Sequence, residues 1–214
     1  MRSIALIDYG SGNLRSAEKA LLKAGGTLAN ACAIQTTADP DVIARADGIV
    51  LPGVGAFAAC MGAIDAHDGL REAIDEAVRI RGATFLGVCV GMQLLASAGL
   101  EFGRTPGFDW IAGEVRRLEP SDRLFKVPHM GWNALEAVGD HPLFKDVPEG
   151  SHMYFTHSFA FHPSDAAHVA ALVDHGGRFP AAVARDNLAG VQFHPEKSQT
   201  AGLKLLANFL EWRP

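Results

Sequence analysis

The chain has 214 residues, 48% hydrophobic and 20% charged, which suits one α/β domain spanning 1–214 with a substantial core. A net charge of −5 with no basic cluster argues against nucleic acid as a partner, and no stretch approaches the roughly 18 apolar residues of a membrane span. Three scattered cysteines without a Cys-x-x-Cys pair argue against a disulfide framework or zinc site and fit a reducing cytoplasm; no metal or cofactor is expected.

"SIALID" predicts a buried strand, followed by the turn "YGSGN" and a helix through "LRSAEKALLKAG" that stops at Gly25-Gly26. "TLANACAI" is the next strand. "DPDVIARA" opens a helix with Asp39 as N-cap and Pro40 at its first position. "DGIVLPGVG" is a strand running into a glycine-rich turn, "AHDGLREAIDEAVRI" a helix, "ATFLGV" a strand and "GMQLLASA" a helix. Such alternation predicts a mixed, largely parallel central sheet flanked by helices. Beyond residue 100 the strand candidates "IAGEVRRLE", "HMYFTHSFAF", "HVAALV", "AAVARD" and "LAGVQFH" crowd together, which predicts an antiparallel extension. "SQTAGLKLLANFLEW" closes the chain as a helix with Ser198 as N-cap.

Within this frame "GVCVG", residues 87–91, has the form of a nucleophile elbow built on Cys89. The nucleophile of such a turn is strained at a strand end, and its neighbours are small because strand and helix backbones pass close together. The turn lifts the sulfur into the crevice beyond the strand ends and sets it near a helix N-terminus. A lone Gly-x-Cys-x-Gly equally fits a buried cysteine in a tight turn. "GVQFHPEKS" supplies partners: His194 and Glu196 lie two apart, so in an extended chain they point the same way, and Pro195 restricts both its own φ and its predecessor. His194 is then a base for the thiol and Glu196 orients the ring. In "LPGVGAF", Gly53, Val54 and Gly55 leave backbone N–H groups able to turn towards a ligand. An oxyanion hole would take the Val90 amide and one amide from Val54 or Gly55, although taken alone such a stretch is more often an ordinary strand-ending turn.

The combination of "GVCVGMQLL", "PGVGAF" and "HPEKS" resembles the class I, triad-type glutamine amidotransferases. "IDYGSGNLRS" and "KVPHMGWN" narrow the likeness to the glutaminase subunits of imidazole glycerol phosphate synthases, over nearly the whole chain. The resemblance implies that Cys89, His194 and Glu196 hydrolyse glutamine to glutamate and ammonia. It implies that Gly53, Gln93, Glu101 and Ser158 hold the substrate. It also implies a heterodimer in which ammonia passes to a separate (β/α)₈-barrel cyclase subunit. That subunit makes imidazole glycerol phosphate and aminoimidazole carboxamide ribotide for histidine biosynthesis. Trp132 and Tyr154 are candidate interface residues, and the Val54 peptide is expected to turn to its productive orientation when the partner binds. Val90 and Phe159 stand where leucine and tyrosine are commoner. Cys32 and Cys60 are expected to be replaceable, and His129, His157 and His175 are given no catalytic role. A glutaminase serving another synthase, such as pyridoxal phosphate synthesis, and a cysteine hydrolase of the same broad fold are the alternatives.

Overall fold

The computed structural model describes residues 1–10, 13–29, 32–122 and 124–214. Ser11 and Gly12 of the predicted turn, and Asn30 and Ala31 of the predicted second strand, lie outside these residues. In chain order the first half runs β1 (Arg2–Ile7), α1 (Leu14–Gly25), β2 (Cys32–Thr37), α2 (Pro40–Arg45), β3 (Gly48–Gly53), α3 (Phe57–Ala66), α4 (Leu70–Asp75), β4 (Thr84–Cys89) and α5 (Val90–Gln93). Two short strands follow, β5 (Ala98–Gly99) and β6 (Thr105–Pro106), then β7 (Gly113–Arg117), β8 (His129–Glu136), β9 (His152–His157), β10 (Phe159–Pro163), β11 (Val169–Asp174), β12 (Arg178–Arg185), β13 (Leu188–Val191) and α6 (Gln199–Glu211).

Nine strands form one sheet in the order β2-β1-β3-β4-β13-β12-β11-β8-β9, and β10-β7-β5-β6 form a second, smaller sheet. From β2 to β13 the pairing is parallel, and from β13 to β9 antiparallel. The predicted mixed sheet with its antiparallel extension is therefore present. β3 and β4 are buried at every position, as expected of strands covered on both faces. The crossover from β1 to β2 runs one way along the sheet and that from β2 to β3 runs back. Right-handed connections therefore place α1 and α2 on opposite faces.

Local chemistry explains several elements. α1 buries Ala20, Leu21 and Ala24 along one stripe and carries Lys23 in its last turn, where a cation suits the helix dipole. In α2 the Asp39 carboxylate accepts from the Asp41 N–H at 2.9 Å and Pro40 sits in the first turn, as predicted. Arg2, at the start of β1, donates to the carbonyls of Phe209 (3.3 Å), Leu210 (2.8 Å) and Trp212 (2.8 Å), satisfying carbonyls that the end of α6 leaves open.

In five places the structure departs from the elements read from the sequence or adds to them. α3 forms where the sequence pattern predicts no helix: Phe57, Cys60, Met61 and Ile64 are buried at helical spacing, but the intervening alanines and glycine blur the stripe. The predicted helix "AHDGLREAIDEAVRI" starts only at Leu70 and widens into a π-turn over Glu76–Ile80. The helix after the elbow is four residues long, because the carbonyls of Leu94, Leu95 and Ala96 turn to accept from the amides of Phe108 to Ile111. β8 is a strand built over what the sequence presents only as the "KVPHMGWN" motif. "HMYFTHSFAF" breaks at Ser158 into β9 and β10, which join different sheets.

No helix of the described residues is long and apolar enough to cross a membrane.

Candidate active site

The parallel register brings three strand ends to one level: Gly53 pairs with Cys89, and Val191 with Val88. Ligands of open α/β sheets bind beyond such carboxyl ends. A cavity of about 360 Å³ opens there, lined by Val54, Gly55, Cys89, Val90, Gln93, Glu101, Ser158 and His194 among others. Eight of the residues named from the sequence thus meet in one cavity.

Cys89 has φ 55° and ψ −113°, a strained backbone for a residue with a side chain, as an elbow requires. The glycines around it are enforced by contact. A Cβ on Gly91 would lie 1.9 Å from the Leu51 carbonyl oxygen, and one on Gly87 would lie 2.4 Å from the Gly91 oxygen. The helix that follows has only four residues, so the dipole expected to assist the sulfur is confined to the local N–H groups.

All the strands from β5 to β13 intervene between Cys89 and His194 in the chain, yet both residues line the cavity. His194 is 3% exposed, and its Nδ1 lies 2.8 Å from Glu196 Oε1. Glu196 reaches it by a different path from the one expected. Pro195–Lys197 form a 3₁₀ turn rather than extended chain, and the turn folds the carboxylate back behind the ring. Nε2 of His194 is buried with no hydrogen-bond partner among the described residues. Burial by itself lowers the pKa of the ring, but the neighbouring Cys89 sulfur and the hydrogen-bonded Glu196 carboxylate outweigh it and raise the pKa to about 9. The arrangement can hold a proton on the imidazole near the Cys89 sulfur.

Other side chains lock these groups in place. Ser198, predicted as an N-cap, makes no capping bond; its hydroxyl donates to the His194 carbonyl at 2.6 Å and accepts from the Tyr154 N–H at 3.0 Å. Tyr154 in turn accepts from the His194 N–H through its carbonyl at 2.8 Å, with the two rings 6.5 Å apart. Tyr154 is therefore built into the site's frame, whereas its edge-on neighbour Trp132 remains 45% exposed. The glycine-rich turn is held from two sides. The Tyr9 hydroxyl donates to the Pro52 carbonyl at 2.7 Å, and the Cys60 thiol to the Val54 carbonyl at 3.3 Å. Cys60, expected to be replaceable, thus touches the backbone of the turn directly.

Gly53 does not line the cavity; it packs against Gly91 and Val90, where a Cβ would come within 2.6 Å of the Gly91 nitrogen. Glu101 lines the cavity while one carboxylate oxygen accepts from the Phe57 N–H at 2.9 Å, at the N-terminus of α3. Gln93 is 4% exposed and donates to the Phe159 carbonyl and to Gln192 Oε1, both at 3.0 Å.

Sequence reasoning missed Gln192, His157 and Lys197. Lys197 lines the cavity and lies 5.4 Å from the Tyr154 ring. His157 also lines it and shares the Phe159 carbonyl, at 2.9 Å, and its Nε2 lies 3.0 Å from His129 Nδ1. Burial holds the pKa of His157 down to about 4 and that of His129 to about 3, so both rings are neutral. No spacing pattern marked these residues. The one available signal was the proximity of Gln192 and Lys197 to the His-Pro-Glu triplet.

Comparison with known proteins agrees with this geometry. The glutamine amidotransferase class-I family profile matches residues 5–212. The chain is 60% identical over 214 residues, all of both chains, to the imidazole glycerol phosphate synthase subunit HisH of Caulobacter vibrioides. It is 52% identical to that of Rhodospirillum rubrum, covering 99% of each. Among solved structures a glutamine amidotransferase superposes with a TM-score of 0.71 at 17% identity, covering 97% of both chains. A putative GMP synthase component from Thermoplasma acidophilum does so with 0.64 at 19% identity, covering 99% of this chain and 93% of that one; these two bear on the fold alone. The chain belongs to the class-I glutamine amidotransferase family, as its motifs led us to expect.

Proposed function

We propose that this chain is the glutaminase subunit of an imidazole glycerol phosphate synthase and that Cys89, His194 and Glu196 are its triad. The Cys89 thiol gives its proton to His194, and the thiolate attacks the side-chain carbonyl carbon of glutamine. The tetrahedral oxyanion is met by the Val90 amide and by an amide of the Val54–Gly55 turn. His194 protonates the departing nitrogen, which leaves as ammonia, and a γ-glutamyl thioester remains on the sulfur. A water deprotonated by His194 then opens the thioester, releasing glutamate and restoring the thiol. Throughout, Glu196 holds the ring and offsets its positive charge.

Glutamine is held by Gln93, Glu101 and Ser158 on the cavity wall, with the Glu101 carboxylate suited to the substrate ammonium. Gly53 acts indirectly, through the close packing that shapes the elbow. Ammonia is mostly protonated in neutral water and so is best handed directly to an acceptor site. We place that site on a cyclase subunit of (β/α)₈-barrel fold, with Trp132 at the contact and Tyr154 behind it. The chain acts as one domain over 1–214, in the cytoplasm. Its single continuous core and sparse cysteines support this.

One observation carries the reading: an imidazole backed by a carboxylate at 2.8 Å, its other ring nitrogen buried and without a hydrogen-bond partner among the described residues, lines the same cavity as the strained cysteine. The full-length identity to subunits named for this synthase supports the choice of acceptor reaction. The test is Cys89→Ala in complex with the cyclase. Glutamine-driven synthesis is lost while ammonium-driven synthesis persists. Loss of both, or of neither, removes Cys89 as the nucleophile.

A further inference from the structure

Gln192 lies within "GVQFHPEKS" but is assigned no role by the sequence, yet its side chain is wholly buried directly beside the elbow. Its backbone N–H continues the ladder to the Ala181 carbonyl at 2.8 Å, so the chain is still strand-like there and the side chain is held rather than free to swing. Nε2 lies 3.7 Å from Cys89 Sγ, within reach of a sulfur hydrogen bond, and Oε1 lies 3.0 Å from Gln93 Nε2.

The direction of these contacts follows from one fixed group. The Phe159 main-chain carbonyl can only accept, so the Gln93 end that faces it at 3.0 Å must be the NH₂. That same NH₂ faces Gln192, so Gln192 must present its oxygen to Gln93. Its own NH₂ is then left pointing at the sulfur. The relay has a second consequence: both N–H bonds of Gln93 are spent, and among the described residues its Oε1 accepts no hydrogen bond. The atom that Gln93 offers to the cavity is therefore an acceptor.

We propose that Gln192 is a positioning residue for the amidotransferase reaction: its N–H holds the Cys89 sulfur while its carbonyl fixes Gln93 with Oε1 towards the substrate. The inference rests on Cys89 being the nucleophile. An N–H donor favours the negatively charged sulfur over the protonated one, and a buried amide with two bonds made has no alternative rotamer to adopt. The Gln93 acceptor suits an ammonium or amide N–H of the amino-acid substrate.

Two variants in complex with the cyclase separate the two functions. Gln192→Glu keeps an acceptor for Gln93 but turns an oxygen on the sulfur. Gln192→Met loses both contacts. With Gln192→Glu, alkylation of Cys89 by iodoacetamide slows roughly tenfold and kcat for glutamine falls by a similar factor, with KM within about threefold. With Gln192→Met the same losses appear and KM rises further, because Gln93 is no longer oriented. Ammonium-driven synthesis stays unchanged in both. Alkylation and kcat within about twofold of the unmodified complex would reduce Gln192 to a core amide and overturn the proposal. Equal loss of ammonium-driven synthesis in both variants would make it a fold determinant and overturn it too. If iodoacetamide modifies Cys89 in the unmodified complex without stopping glutamine hydrolysis, the failure lies in the nucleophile assignment and not in Gln192.

Discussion

Replacing Glu196 by glutamine removes the charge behind the His194 ring while keeping its size. The two side chains are each 4% exposed and their contact is 2.8 Å, so solvent ions screen it little. Burial works against a proton on His194, but its partners Cys89 and Glu196 raise the pKa from 6.5 to about 9. At 1.36 kcal/mol per pH unit, that rise favours the folded imidazolium by on the order of 3 kcal/mol. A charge-assisted hydrogen bond, worth roughly 1.5–3 kcal/mol, is about twice as strong as a neutral one, so the amide, which keeps the neutral bond, forfeits roughly 0.75–1.5 kcal/mol. If the imidazolium is needed as the nitrogen departs, kcat for glutamine falls roughly 4- to 13-fold. Glutamine hydrolysis by the complex measures this, with ammonium-driven synthesis as the control for assembly.

Stability carries the same signature with a definite sign. Because the folded pKa is raised, the stabilisation is fully present below pH 6.5 and is lost as pH climbs through about 9. In Glu196→Gln the upper edge of that window moves down towards 6.5. The Tm difference between the two proteins is therefore largest below pH 6.5 and closes by about pH 9. A kcat within about twofold of the parent, or a Tm difference flat across this range, would refute the reasoning.

Cys60→Ala deletes the thiol bond to the Val54 carbonyl and lowers kcat about threefold, while Cys60→Ser keeps a donor and stays within about twofold, measured as glutamine hydrolysis by the complex. Arg2→Leu removes three hydrogen bonds to carbonyls at the end of α6, which keep only their donors from Arg213, Cys32 and the Trp212 N–H. It costs about 3 kcal/mol, read as a Tm roughly 6–12 °C lower, with the glutaminase kinetics unchanged once folded. Gly91→Ala forces a Cβ to 1.9 Å from the Leu51 oxygen and yields little folded protein. Gly62→Ala in α3 meets nothing within 4 Å and raises Tm by roughly 1–4 °C. Equal behaviour of the two alanine variants in a thermal melt would remove the close-packing argument for the elbow.

How much of this was legible in the sequence depended on the range of the forces involved. The elbow was legible because Gly87, Cys89 and Gly91 answer to contacts within one turn and its adjoining strand. Asp39 and Pro40 were legible because a cap is local chemistry. The length of α5 was not, since the carbonyls that would have carried the helix onward are taken by amides some fourteen residues later. The break at Ser158 was equally hidden: "HMYFTHSFAF" has the residues of one long strand. Only the separate pairings of β9 with β8 and of β10 with β7 show that the chain changes sheets there. Gln192 stayed silent for a related reason, because its partners come from β4 and its elbow, about a hundred residues earlier.

These non-local events converge on one strand. β13 is the last parallel partner of the core and the first antiparallel partner of the extension, pairing with β4 on one side and β12 on the other. Leaving it, the chain donates to Ala181 of β12 from Gln192 and then to Tyr154 of β9 from His194. The two residues between which Phe193 is buried are therefore pinned to different strands, and both aim their side chains at the elbow. β9 is also the strand that ends at His157, just before the Ser158–Phe159 backbone crosses the cavity wall. The antiparallel extension is thus more than an appendage to a nucleotide-type sheet. It supplies the second anchor that fixes His194 and one wall of the cavity, while the parallel half supplies Cys89. A change that loosened β9 from His194, such as losing the Ser198 hydroxyl that ties them, would release the base from the sulfur without touching either reacting group.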